Sequence, residues 1–160
     1  MNAIRKTGFF MITVLLAAGV LFAAGCKEEE REYEMDPSQL VSDVLENVTF
    51  AGEMQEVDKD ALSITYTIED GVEVAAYIAG GALSDEMIVF TAPDEATAQK
   101  TLENVKAHIE ERSELFASYA PAEVAKLEKA YTIQKGKYVV VCVTEDIDNA
   151  KAVILSLIHI

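Results

Sequence analysis

The sequence predicts a single small α+β domain, with a mainly antiparallel sheet and helices packed on one face, preceded by an N-terminal signal segment. Three observations predict this. Strand-like and helical patterns share the chain without a regular βαβ alternation, which favours an antiparallel sheet over a doubly wound parallel one. Two apolar strands, at 72–79 and 86–91, are joined by a connection short enough to make them antiparallel neighbours. The first apolar stretch carries the flanks of an export signal.

Arg5 and Lys6 form a positive start, and no charge follows until Lys27. A stretch of roughly 18 apolar residues is also long enough to span a bilayer. The small-residue exit decides for a cleaved signal, against a plain transmembrane anchor with an incidental cysteine. That exit, Ala23-Ala24-Gly25-Cys26, resembles a bacterial lipobox, departing from it at Ala23, where Leu is usual. The resemblance implies a diacylglyceryl lipid on the Cys26 thiol, cleavage just before it, and a chain anchored at the extracytoplasmic face of the cell membrane. Two acyl chains on one cysteine anchor firmly, whereas one is marginal. The chain then divides into a signal peptide (1–25), an acidic tether (26–35) and a domain (36–154).

The formal net charge is −15 and becomes −17 without residues 1–25, which carry Arg5, Lys6 and no acid. Such a surface repels phosphates, which excludes nucleic acid as a partner. It also keeps the domain off anionic headgroups. Solubility explains the charge by itself; cation capture would need clustered oxygen ligands.

The tether, Lys27 to Met35, has nothing to bury and reads as disordered. Asp36-Pro37-Ser38-Gln39 opens a helix, with Asp36 as cap and Gln39 reaching back to complete it. Leu40, Val41, Val44, Leu45 and Val48 make its apolar face, and the helix should stop near Gly52. Leu62 to Ile68 alternates like a strand, with a short helix opening at Asp58 as the competing reading. Glu69-Asp70-Gly71 is a turn, and Gly80-Gly81 ends the strand at 72–79. Met87 to Phe90 is apolar throughout, as befits a central, buried strand. A long helix follows Asp94, with Ala98, Leu102, Val105, Ile109, Phe116 and Tyr119 on one stripe. Pro121 stops or bends it, and 122–130 forms a shorter helix. Residues 131–134 and 138–144 make a hairpin around Lys135-Gly136, and Asp146 caps a last helix.

Residues 155–160, Leu-Ser-Leu-Ile-His-Ile, are the six residues that one reading frame of a transposase mosaic-end sequencing adapter encodes. The expectation is that the native chain departs from this sequence after about Ile154. A genuine apolar helix end is the competing reading.

No chemistry-bearing constellation emerges. His108 has no second His one turn away, no HExxH or CxxC exists, and a solvated helix His is the simplest reading. Asp58-Lys59-Asp60 lacks the Gly and closing Glu of a calcium loop. Glu145, Asp146, Asp148 and Asn149 are densest in acid, but their place before a helix makes them caps. Ser63, Ser84, Ser113 and Ser118 have no GxSxG setting, and Gly80-Gly81 is no phosphate loop. Cys142 sits in an apolar strand as a small buried hydrophobe. No catalytic, cofactor or metal residues are assigned, and the chain is expected not to be an enzyme.

Three motifs occur in order: Asp85-Glu86-Met87-Ile88-Val89-Phe90, then Tyr119-Ala120-Pro121, then Gly136-Lys137-Tyr138-Val139-Val140. Over roughly 37–154 the chain resembles the domain-of-unknown-function 4358 family of bacterial lipoproteins. The resemblance implies an exported lipoprotein with one α+β domain and brings no site residues. Each motif has a fold explanation: Asp85 and Glu86 cap a strand or pair with a cation from elsewhere, Tyr119 and Pro121 pin a helix corner, and Gly136 and Tyr138 shape a hairpin. The expected function is a non-catalytic binding or interaction module, tethered to the membrane and recognising an unknown protein or small ligand. An envelope enzyme with paired carboxylates, or an accessory subunit of an envelope complex, are the alternatives.

Overall fold

The computed structural model describes residues 34–158. The expected signal peptide, the expected lipidation site Cys26 and His159 lie outside the described residues. Residues 32–160 make one compact unit, and its apolar clusters draw only on residues within it, so it carries its own core.

The elements run α1 (Pro37–Asn47), β1 (Met54–Val57), α2 (Lys59–Leu62), β2 (Glu73–Ala79), β3 (Glu86–Thr91), α3 (Glu95–Ala117), α4 (Pro121–Leu127), β4 (Tyr131–Lys135), β5 (Tyr138–Val143) and α5 (Ile147–Leu157). One five-stranded sheet has the order β1-β2-β3-β5-β4, every neighbouring pair antiparallel. This is the expected α+β class, with β3 in the middle.

The helices cover both faces of the sheet, not one. Met87, Val89, Val140 and Cys142 face α1 and α5, packing with Val41, Val44 and Ile154. Ile88, Phe90, Val139 and Val141 face the other way, against Leu62, Ala98 and Val105 of α2 and α3. The reason lies in β3 and β5, which are apolar on both pleats; a strand buried on two faces needs a layer on each. Each large side chain so buried contributes about 1.5–3 kcal/mol over its exposed state.

The strand expected at 62–68 is absent. Asp58 caps α2 by accepting from the Ala61 N–H at 2.8 Å. Leu62 and Tyr66 then point into the core one helical spacing apart, while Ile64, which a strand would have buried beside them, is 83% exposed. The strand of this region is instead β1, a short edge strand carrying Gln55 and Glu56, too polar to announce itself. α1 ends at Asn47, short of Gly52, because Val48 turns extended. Asp36 caps it through Ser38 and Gln39, but the Gln39 side chain donates to Asp43 and does not reach back. α3 ends four residues before Pro121, which opens α4 as its first residue. Asp146 precedes α5, yet its carboxylate accepts from the Thr49 N–H and Asn149 and makes no bond to the helix backbone.

The last two tether residues are held, not free. The Met35 N–H donates to the Tyr138 hydroxyl at 3.3 Å, and Glu34 pairs with Lys137 at 3.2 Å. At the other terminus α5 continues through Leu157, and Ile158 is buried in the core. No helix among the described residues is long and apolar enough to cross a membrane.

Candidate functional site

Three consecutive polar residues, Ser84, Asp85 and Glu86, are each fully buried where the chain enters β3. Buried polar groups need partners, and helices supply them. The Ser84 N–H and hydroxyl both donate to Glu123 of α4, at 2.7 and 2.8 Å. Asp85 accepts from Lys126 of α4 and from the Ala51 N–H. Glu86 accepts from the Tyr66 hydroxyl at 2.8 Å and from Arg112 of α3 at 2.6 Å. No buried side-chain polar atom among the described residues is left without a partner.

The electrostatics follow. Burial raises the Glu86 carboxyl above its usual range; Arg112 and Tyr66 oppose this, and Asp85 adds to it. Burial, and then Glu86, push the Tyr66 hydroxyl well up. Burial works against Glu123 ionising, but the bonds from Lys126 and Ser84 outweigh it and hold that carboxyl below its usual range. Lys126 is likewise disfavoured by burial, yet its bonds to Asp85 and Glu123 raise it.

A pocket of about 460 Å³ opens over Glu86. Arg112 and the buried Glu86 line it together; Tyr66 and His108 also line it, their rings 3.7 Å apart between centroids. Ile78 and Ala79 contribute from the end of β2, and Gly81 and Leu83 from the β2–β3 connection, where Gly81 takes φ 75°. Leu115 and Phe116 come from the end of α3, and Tyr119 from the link between α3 and α4. Leu115 and Tyr119 are 62% and 55% exposed, two of the three large apolar side chains left in solvent among the described residues. The third, Ile64, immediately precedes the lining residues Thr65 and Tyr66. Exposed apolar groups gathered at a concave mouth mark a binding surface more than scattered ones do.

The family model for the domain of unknown function DUF4358 matches residues 46–144. The chain belongs to that family. The match spans Ser84, Asp85, Glu86, Arg112 and Lys126, so the pocket and both buried networks are parts of the DUF4358 domain proper. No curated protein and no solved structure matches the chain.

In this DUF4358 domain the motif residues fall in three places. Asp85 and Glu86 pair with Lys126 and Arg112, the cations from elsewhere. Asp85 precedes β3 and turns to α4, Glu86 opens β3 and turns to α3, and of the two only Glu86 lines the pocket. Pro121 opens α4. Tyr119, expected to bury its ring at a helix corner, instead leans on Phe116 at 5.1 Å and stays exposed at the pocket mouth. Gly136, at φ 54°, turns the β4–β5 hairpin, and Tyr138 beside it receives Met35.

His108 is half-buried, not solvated: burial and Arg112 push its ring down to about 4, and the Thr65 backbone opposes them only in part. No group of three or more His, Cys, Asp or Glu among the described residues is placed to hold a metal. Cys142 is buried, and its thiol is pushed up to about 12 by burial and by Glu86, Asp85 and Asp146. The sequence did not single out Arg112, Lys126, Glu123 or Tyr66; the one available signal was a polar triplet running straight into an apolar strand.

Proposed function

We propose that this DUF4358 chain is a lipoprotein held at the extracytoplasmic face of the membrane through a diacylglyceryl group on Cys26, and that its domain is a non-catalytic binding module with the Glu86–Arg112 pocket as its site. The observation that carries the binding reading is the exposed apolar mouth of Leu115 and Tyr119 above a buried, fully bonded ion pair. Both Glu86 oxygens are engaged, one by Tyr66 and one by Arg112, which suits a rigid floor better than a proton shuttle. The anchor rests on the export-signal flanks and on Cys26 after Ala24-Gly25.

The test is a thermal-shift screen of residues 32–160 against amines, amino acids, sugars and peptides, repeated with Leu115→Ala. A ligand specific to the folded state adds about 2.7 kcal/mol at a hundredfold excess over its dissociation constant. The expected result is a shift for one ligand class that Leu115→Ala diminishes. A shift unaffected by Leu115→Ala and Tyr119→Ala would move the site elsewhere and overturn this reading.

A further inference from the structure

We propose that the pocket takes a small apolar amine, its ammonium group meeting Glu111 and its hydrocarbon body lying on Leu115, Leu83 and Tyr119. This rests on the pocket being the binding site. The formal charges lining it are the two carboxylates Glu86 and Glu111 and the single guanidinium of Arg112. That guanidinium is already committed: one terminal nitrogen donates to Glu86, the other to the Leu83 carbonyl at 3.1 Å, and its plane lies over the Phe116 ring at 5.4 Å. An anionic ligand would therefore meet a neutralised cation and an additional carboxylate.

Glu111 is exposed and makes no ion pair among the described residues, so one negative charge in the pocket is left for a ligand to answer. The remaining polar group favours the same partner. Burial and Arg112 hold the His108 ring down to about 4, so it is neutral near pH 7 and carries one acceptor nitrogen that a donor can meet. Tyr119 offers a ring face at the mouth, and such faces attract cations. A chain of net charge −15 concentrates cations around itself as well. The volume, about 460 Å³, lies in the range that holds small ligands and is apolar over most of its wall.

Hexylamine, hexanol and hexanoate share one apolar body and carry a positive, zero and negative charge. Each is titrated into residues 32–160 and followed by protein NMR shifts at neutral pH. The expected order is hexylamine tightest, about three- to fivefold tighter than hexanol, the factor a single partly exposed charge pair supplies, with hexanoate weakest. Glu111→Gln should bring hexylamine down to the affinity of hexanol and leave hexanol unchanged; Leu115→Ala should weaken both. Equal binding of hexylamine and hexanol at the pocket, or tighter binding of hexanoate, overturns the amine proposal and leaves the binding module standing. Absence of shifts at pocket residues with all three, up to ~10 mM where weak fragment binding is still visible, overturns both.

Discussion

Arg112, on the penultimate turns of α3, donates to Glu86 at the first position of β3 across 2.6 Å, and the carboxylate it meets is wholly buried. The pair clamps the long helix to the central strand at the base of the pocket. Removing one partner of a buried pair strands the other, at a cost of about 3–5 kcal/mol. Arg112→Met should lose that much stability in urea denaturation. Arg112→Met with Glu86→Gln should recover most of it, since a neutral amide still accepts from Tyr66. Equal losses in the single and double variants would mean that the buried charge is not what costs.

Lys126 serves two carboxylates at once, Asp85 and Glu123, and through them ties α4 to the start of β3. Lys126→Met should cost about 3 kcal/mol or more and speed amide exchange at Ala51 and Ser84, whose N–H groups bond these carboxylates. The pH window has two edges. Glu123 is depressed, so its share is present above the usual value of 4.5 and lost as pH falls through its lower folded value. Lys126 is raised, so its share is present below 10.5 and lost as pH rises through its higher folded value. The stability difference between wild type and Lys126→Met should hold flat between these edges and shrink outside them.

His108 gives a separate acid term. Its folded value, about 4, lies below the ordinary 6.5, so the unfolded chain takes the proton first. Stability is full above 6.5 and falls as pH drops toward 4. Because the ring is partly in solvent, the loss should be about 1–2 kcal/mol after screening. Arg112 acts on the ring from its own helix and Tyr66 stacks on it from across, while Glu111 lines the same pocket. His108→Phe, which keeps a ring against Tyr66, should remove this segment of the pH profile; an unchanged slope would show that another group carries it.

Leu115 and Tyr119 are exposed and take little part in the core. Leu115→Ser and Tyr119→Ser should each change stability by no more than about 0.5 kcal/mol while abolishing ligand shifts at the pocket. A large stability loss would assign them to the fold instead.

The proposed lipid anchor makes its own prediction. Wild type expressed from Met1 should sediment with membranes and enter the detergent phase, and Cys26→Ser should not be acylated or cut before residue 26. Mass spectrometry of the mature N-terminus reads both. An unmodified Cys26 on a membrane-bound, uncut chain would point to a plain transmembrane anchor.

What the sequence disclosed was local. The caps at Asp36 and Asp94, the hairpin at Gly136 and the limits of β3 all follow from neighbours a few residues apart. The same apolar run that announced β3 as central also implied a layer on each side, an implication the one-faced reading did not carry through. β1 escaped because an edge strand can be polar, and 62–68 misled because a β-branched run was outweighed by the Asp58 cap and the placing of Leu62 and Tyr66. At the site, Asp85 and Glu86 were visible, but their partners lie 41 and 26 residues away among 13 lysines and arginines. Only the tertiary fold selects which cation answers which acid.

Cys142 is the last but one residue of β5, opposite Met87 of β3, with no exposed surface and a thiol held near 12. A folded molecule therefore hides its only thiol between residues 32 and 160 from any aqueous reagent. Modification must wait until the middle of the sheet comes apart, so under fast reclosing the labelling rate counts the opened population. The domain carries a gauge of its own opening, needing no engineered probe, and each stability change forecast for Arg112, Lys126 and His108 should register on it as a change in how fast that single sulfur is found.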